Sequence, residues 1–178
     1  MEHRIGKIIV SATGGTASNG SKTYKVSIPS AWVKEMGLDE SNRTIELMFD
    51  GDGIYITSEK SIEEFVSQKK NINHNLKKLS FYDSKELCTV IYADFTDKTL
   101  KAENHTDDMV KTAFGNNTLP TWEDFMNFLE ERCVPKERSG IREYLEAIGV
   151  SEYNPLEIIQ KTKGRMAEDK QWIEIEKI

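Results

Sequence analysis

The run Asp50-Gly51-Asp52-Gly53 constrains this chain more than any other feature of it. Acidic–glycine pairs supply the left-handed backbone and the side-chain-to-backbone bonding that tight turns require. Strand-like residues flank it on both sides. Residues 44–49 (TIELMF) put Ile45, Leu47 and Phe49 on one face, and Ile54-Tyr55-Ile56 return as the second arm of a hairpin. Upstream, residues 7–12 (KIIVSA) and 23–28 (TYKVSI) read as two more strands around a glycine-rich polar loop. Pro29 stops the second of these, and Ser30 is placed to cap a two-turn helix over AWVKEM. Trp32, Val33 and Met36 share a face of that helix, and Gly37 suits its left-handed end. A unit of about fifty residues buries too little surface to be comfortable alone, and oligomerisation is a common remedy.

Charge is distributed unevenly over the same segment. The whole chain of 178 residues carries a net −6, which argues against indiscriminate adhesion to nucleic acid. Residues 1–34, however, hold Arg4, Lys7, Lys22, Lys25 and Lys34 against Glu2 alone, a net +4. Residues 35–58 hold Arg43 against six carboxylates, a net −5. That is the pattern expected if one edge of a small domain meets phosphate.

The strand, Ile28-Pro29 step, short helix and Gly37-Leu38 closure over residues 24–38, followed by the acidic-glycine hairpin, resemble the AbrB/MazE/SpoVT swapped-hairpin family. The likeness covers residues 5–57. It implies an α+β chain whose N-terminal domain, residues 1–58, is a swapped-hairpin β-barrel shared by a homodimer. Ile8, Val10, Val26, Ile28, Trp32, Ile45, Leu47, Ile54 and Ile56 would form the joint core. It also implies that the first hairpin contacts double-stranded DNA. By position, Arg4, Lys7, Lys22 and Lys25 would meet phosphates, with Asn19, Ser21 and Thr23 as polar contacts. The family favours arginines and a shorter loop here. Lysine lacks the bidentate fork that reads guanine, so sequence specificity is the weaker expectation.

One motif is set aside. Residues 15–23 (GTASNGSKT) approach the phosphate-binding loop GxxxxGK[ST], but Ser21 is inserted before Lys22. A phosphate-binding loop must feed a helix that aims its amides at phosphate. The residues after Lys22 are strand-like instead and run into Pro29.

Residues 59–78 are polar; their first half (SIEEFVSQKK) reads as a short helix, with Ser61 and Glu64 forming a capping box, and their second half, with Asn71, Asn73, Asn75 and Lys77-Lys78, as a linker. The second domain, residues 79–178, reads as a β-hairpin (86–92 and 98–102) followed by a mainly helical, partner-binding region. Helices are expected over 107–114 behind Thr106, over 122–132 behind Thr121, after Pro135 as far as Gly149, and from Asn154-Pro155 to Gly164. Trp172-Ile173-Glu174-Ile175 reads as a closing strand. Arg132, Arg138 and Arg142 are candidates for an acidic partner, although Glu131, Glu143 and Glu146 stand ready to neutralise them. Arg165, Glu168 and Asp169 read as a salt-bridged helix end.

No catalytic constellation emerges. His3, His74 and His105 are far apart in sequence and read as surface residues; no cofactor or metal is called for. Cys88 and Cys133 have no metal-ligand spacing and read as buried thiols in a reducing cytoplasm. No apolar run reaches the length that spans a bilayer. Scattered positions from Phe128 to Ile173 resemble the segment that precedes the kinase domain in HipA-like proteins. That resemblance implies a non-catalytic module that holds a protein partner, a HipA-like toxin kinase among them. The leading expectation is an antitoxin-like or autoregulatory DNA-binding protein. The alternative is a mobile-element inhibitor or adaptor that dimerises through the β-domain without binding DNA.

Overall fold

The computed structural model describes residues 2–12, 22–49 and 51–178, and divides the chain into two compact units, Met1–Glu59 and Lys60–Ile178. The chain is α+β. Among the described residues, no helix is long and apolar enough to cross a membrane.

The first unit holds β1 (Ile9–Ala12), β2 (Lys22–Lys25), α1 (Ser30–Glu35), β3 (Ile45–Phe49) and β4 (Ile54–Ser58), in the order read from the sequence. Ser30 does not cap α1. Pro29 occupies the cap position without a side-chain hydrogen bond, and its carbonyl accepts from Trp32 and Val33. Gly37 closes the helix at φ +71, where a Cβ would be strained, and Leu38 N–H reaches back to the Val33 carbonyl. Among the described residues the four strands form two separate two-stranded sheets, β1 with β2 and β3 with β4, and no barrel.

The second unit is a four-stranded antiparallel sheet in the order β7-β6-β5-β8, formed by β5 (Leu76–Asp83), β6 (Glu86–Asp94), β7 (Thr99–Asn104) and β8 (Gln171–Lys177). It begins with α2 (Ile62–Asn71), whose Ser61–Glu64 capping box forms in both directions. The segment read as a linker is a correction. From Leu76 onward it is β5, a central strand. Lys77 and Lys78 disguised it, yet their ammonium groups reach the Phe95 ring and Glu176 at the sheet surface while their stems cover apolar area.

Leu79, Phe81, Ile91, Ala93 and Ile173 point to one face of the sheet. There they meet Phe125, Phe128 and Leu129 of α3 (Trp122–Glu131), Leu145 of α4 (Ile141–Ile148) and Ile158 and Ile159 of α5 (Pro155–Thr162). Residues of opposite parity, Leu76, Val90 and Asp94, are buried on the other face, where α2 lies against β5, β6 and β7. The domain is therefore a sheet with helices on both faces rather than a mainly helical one. Cys88 and Cys133 are both buried and free, and burial pushes the Cys133 thiol up to about 12.

Two expected helices differ. Residues 107–114 form only a single 3-10 turn, Met109–Lys111, capped by Asp108. Thr112 Oγ1 bonds the Met109 carbonyl and Ala113 N–H donates to Thr89 Oγ1, which fastens the segment to the sheet instead of letting it coil. The helix after Pro135 does not begin until Ile141, behind Gly140 at φ +82.

Candidate nucleic-acid interface

Antiparallel register fixes where the basic residues of the first hairpin stand. Ile9 faces Lys25, Val10 faces Tyr24, Ser11 faces Thr23 and Ala12 faces Lys22. Side chains alternate along a strand, so Thr23 and Lys25 lie on one face of the hairpin with Ile9 and Ser11. Lys22 lies on the other with Tyr24, Val10 and Ala12. The two lysines expected to share one DNA-facing edge are thus presented to opposite sides. Both are exposed, as is Lys7 just before β1, while Thr23 is half-buried. Asn19 and Ser21 lie outside the described residues.

Arg4 is held differently. Its guanidinium stands over the Trp32 ring, 5.6 Å from the centroid, and the Trp32 indole N–H donates to Glu2. The segment before β1 is therefore attached to α1, with Arg4 spread across an aromatic face. The cation stays exposed at its outer side.

The second feature of this unit is apolar. Cross-strand partners share a face, so Leu47 with Ile56 and Phe49 with Ile54 form one side of the β3–β4 hairpin, continued by Ile45 beside Ser58. Among the described residues little covers it: Leu47, Phe49 and Ile54 are 66%, 72% and 71% exposed. Ile8, Val10 and Val26, also assigned to a core by the sequence, are exposed as well, whereas Ile28, Trp32 and Ile56 are half-buried. A monomer rarely leaves so many large apolar side chains on about sixty residues in water.

In the second unit, the three arginines expected to face a partner separate. Arg132 is a correction: it is buried, and its guanidinium donates to the Gly164 carbonyl, to both Asp169 oxygens and to Gln171. It closes the chain between α5 and β8 and offers nothing to a partner. Arg138 precedes α4 and does not share a helical face with Arg142; both are exposed.

His74 is also a correction, because it is not an isolated surface residue. Its Nδ1 lies 2.7 Å from Oδ2 of the fully buried Asp94 and 3.6 Å from Asp97. These three residues converge closely enough to resemble a metal site. The Lys69 ammonium already stands there, 2.9 Å from Asp94 and 2.6 Å from Asp97, so the chain supplies the cation itself. The cluster ties α2 to the β6–β7 turn. Burial alone would raise the Asp94 carboxyl, but bonds from His74, Lys69 and the Thr96 N–H outweigh it and hold it at about 2. The sequence signal was slight: a helix with Lys69 in its last turn, and a turn, Asp94 to Asp97, at unrelated positions.

Comparison with family models, curated proteins and solved structures finds no match to this chain.

Proposed function

We propose that the chain is a dimeric DNA-binding regulator of antitoxin-like type, whose first unit pairs with a second copy to complete a swapped-hairpin barrel. The observation that carries this reading is the exposed apolar face of the β3–β4 hairpin, next in sequence to a hairpin that bears lysines. Fully burying a large apolar side chain contributes roughly 1.5–3 kcal/mol. Ile8, Leu47, Phe49 and Ile54 from each of two copies would together contribute on the order of 12–24 kcal/mol. Association costs are about 4–15 kcal/mol, so burial of this face is of the size needed to offset them. Two-fold symmetry would then double each phosphate contact of the basic hairpin. The second unit, with its own sheet and core, is the part that would hold a protein partner. A HipA-like toxin kinase is the partner that the sequence resemblance suggests.

One observation favours the adaptor reading instead. Lys22 and Lys25 face opposite ways, which weakens the case for a single phosphate-binding edge. Light scattering on the full chain, followed by retention of DNA from upstream of its own gene, separates the readings. A dimer that retains DNA supports the regulator. A dimer that retains none supports the adaptor, and a stable monomer at micromolar concentration removes both.

A further inference from the structure

On α3 the residues Asp124, Asn127, Phe128 and Glu131 recur at i, i+3, i+4 and i+7, forming one stripe along the helix. With Phe114 and Asn117 they line an open groove of about 330 Å³. The floor is aromatic: Phe114 and Phe128 meet at 5.6 Å between centroids in a tilted arrangement. The rim has two carboxylates and two amides, and no cation among its lining residues.

Two independent features fix the sign of what belongs there. Glu130 and Glu131 occupy the last turn of α3, which has no basic residue. The carbonyl end of a helix carries partial negative charge, so carboxylates there are unfavourable unless a cation joins them. The nearest arginine, Arg132, is committed to Asp169 and Gly164. Glu131 is exposed and has no ion pair among the described residues. Asp124, by contrast, is occupied by Thr121 and Asn117, which sets the side of the groove and leaves Glu131 as its open acceptor. The loop that supplies Phe114 and Asn117 also carries exposed Val110 and Leu119, at 90% and 79%. A negative, amide-rimmed slot floored by the partly buried Phe114 above the core residue Phe128 matches a guanidinium, which is weakly hydrated enough to lie against apolar surface and donates in its own plane to carboxylate and amide oxygens.

We propose that this groove is the partner-binding site of the second unit and that it receives an arginine side chain from a basic protein segment flanked by apolar residues. The proposal rests on the reading of this unit as a partner-binding module, but not on DNA binding by the first. The loop from Met109 to Leu119 contributes the apolar contacts, and α3 contributes the charge.

The test is an NMR titration of the full chain with a blocked tripeptide holding arginine between two leucines, against the same peptide with citrulline, its neutral isostere. The side-chain amides of Asn117 and Asn127 should shift saturably. The arginine peptide should bind roughly threefold or more tightly than the citrulline peptide. Glu131→Gln should erase that preference, while Glu157→Gln, on the exposed side of α5, should keep it. Equal binding of the two peptides would overturn the proposal, as would the absence of saturable shifts at Asn117 and Asn127. So would loss of the preference in both variants alike. Retention of DNA by the same preparation is read separately, so failure here is distinguishable from failure of the regulator reading.

Discussion

Arg132 and Asp169 form a two-pronged ion pair, with Nη1 to Oδ2 at 2.6 Å and Nη2 to Oδ1 at 3.1 Å, across thirty-seven residues of chain. Asp169 also accepts the Gln171 N–H, and the Arg132 Nε and Nη2 donate to the Gly164 carbonyl. The pair therefore holds the turn between α5 and β8 against the end of α3. Only a residue with five fixed donors satisfies all of these acceptors at once.

Replacing either partner should destabilise the second unit. Asp169→Asn leaves a buried guanidinium without its counter-charge, and the expected loss in urea denaturation is roughly 3 kcal/mol. Arg132→Lys should lose nearly as much, since one ammonium cannot bridge the Gly164 carbonyl and both Asp169 oxygens. A loss below about 0.5 kcal/mol, the range of an exposed pair, would show that the bridge is incidental.

The Asp94 cluster sets an acid limit. Its carboxyl is held at about 2 in the folded chain, below the ordinary value of 3.8. A group depressed in this way stabilises the fold above its unfolded pKa. That contribution is lost as pH falls from about 4 towards 2. Stability should drop across that window with a slope approaching roughly 1.4 kcal/mol per pH unit for this one proton. Asp94→Asn should be less stable at neutral pH and show a flatter acid limb when denaturation is followed at several pH values. An unchanged limb would assign the acid sensitivity to other carboxylates.

Much of this fold is legible in the chain because local chemistry and tertiary structure agree. The β3–β4 hairpin, the Gly37 terminus and the Ser61–Glu64 and Thr121–Asp124 capping boxes form as written, and the helix read over 122–132 spans Trp122–Glu131. Failures occur where a distant contact overrides local preference. Lys77-Lys78 looks like a linker until Glu176, ninety-eight residues from Lys78, pairs with it across the sheet. Residues 107–114 have helical spacing, but Thr89 and Thr112 bind the backbone into a turn. Arg132 and His74 look like surface residues because their partners, Asp169 and Asp94, are remote in sequence. The basic hairpin was legible in charge but not in direction, since facing depends on the register of Lys22 and Lys25.

The apolar face of the first unit makes a separate forecast. Leu47→Glu with Phe49→Lys places charge in the centre of the β3–β4 face. The protein should become a monomer by light scattering at micromolar concentration. The second unit should keep its cooperative unfolding, because its core residues all lie beyond Lys60. Retention of the dimer by this double variant would assign the interface to another surface.

Trp32 should matter for both copies in that dimer. It is half-buried, carries Arg4 on one ring face and donates to Glu2. Completion of a shared core would bury it further. Trp32→Ala should then cost roughly 3–5 kcal/mol in dimer stability, measured by concentration-dependent denaturation. A cost below about 1 kcal/mol would make the indole peripheral.

The most direct measurement is the salt dependence of binding to DNA from upstream of the chain's own gene, for the wild type, Lys25→Ala and Lys22→Ala. Each phosphate contact contributes roughly −0.9 to the slope of log affinity against log salt. A symmetric dimer loses two contacts per substitution, so Lys25→Ala should weaken binding to all sequences and flatten the slope by about 2 units. Lys22 faces the other side of the hairpin and should change the slope by less. Identical weak binding by the wild type and Lys25→Ala would contradict DNA recognition by this hairpin and leave a dimeric adaptor.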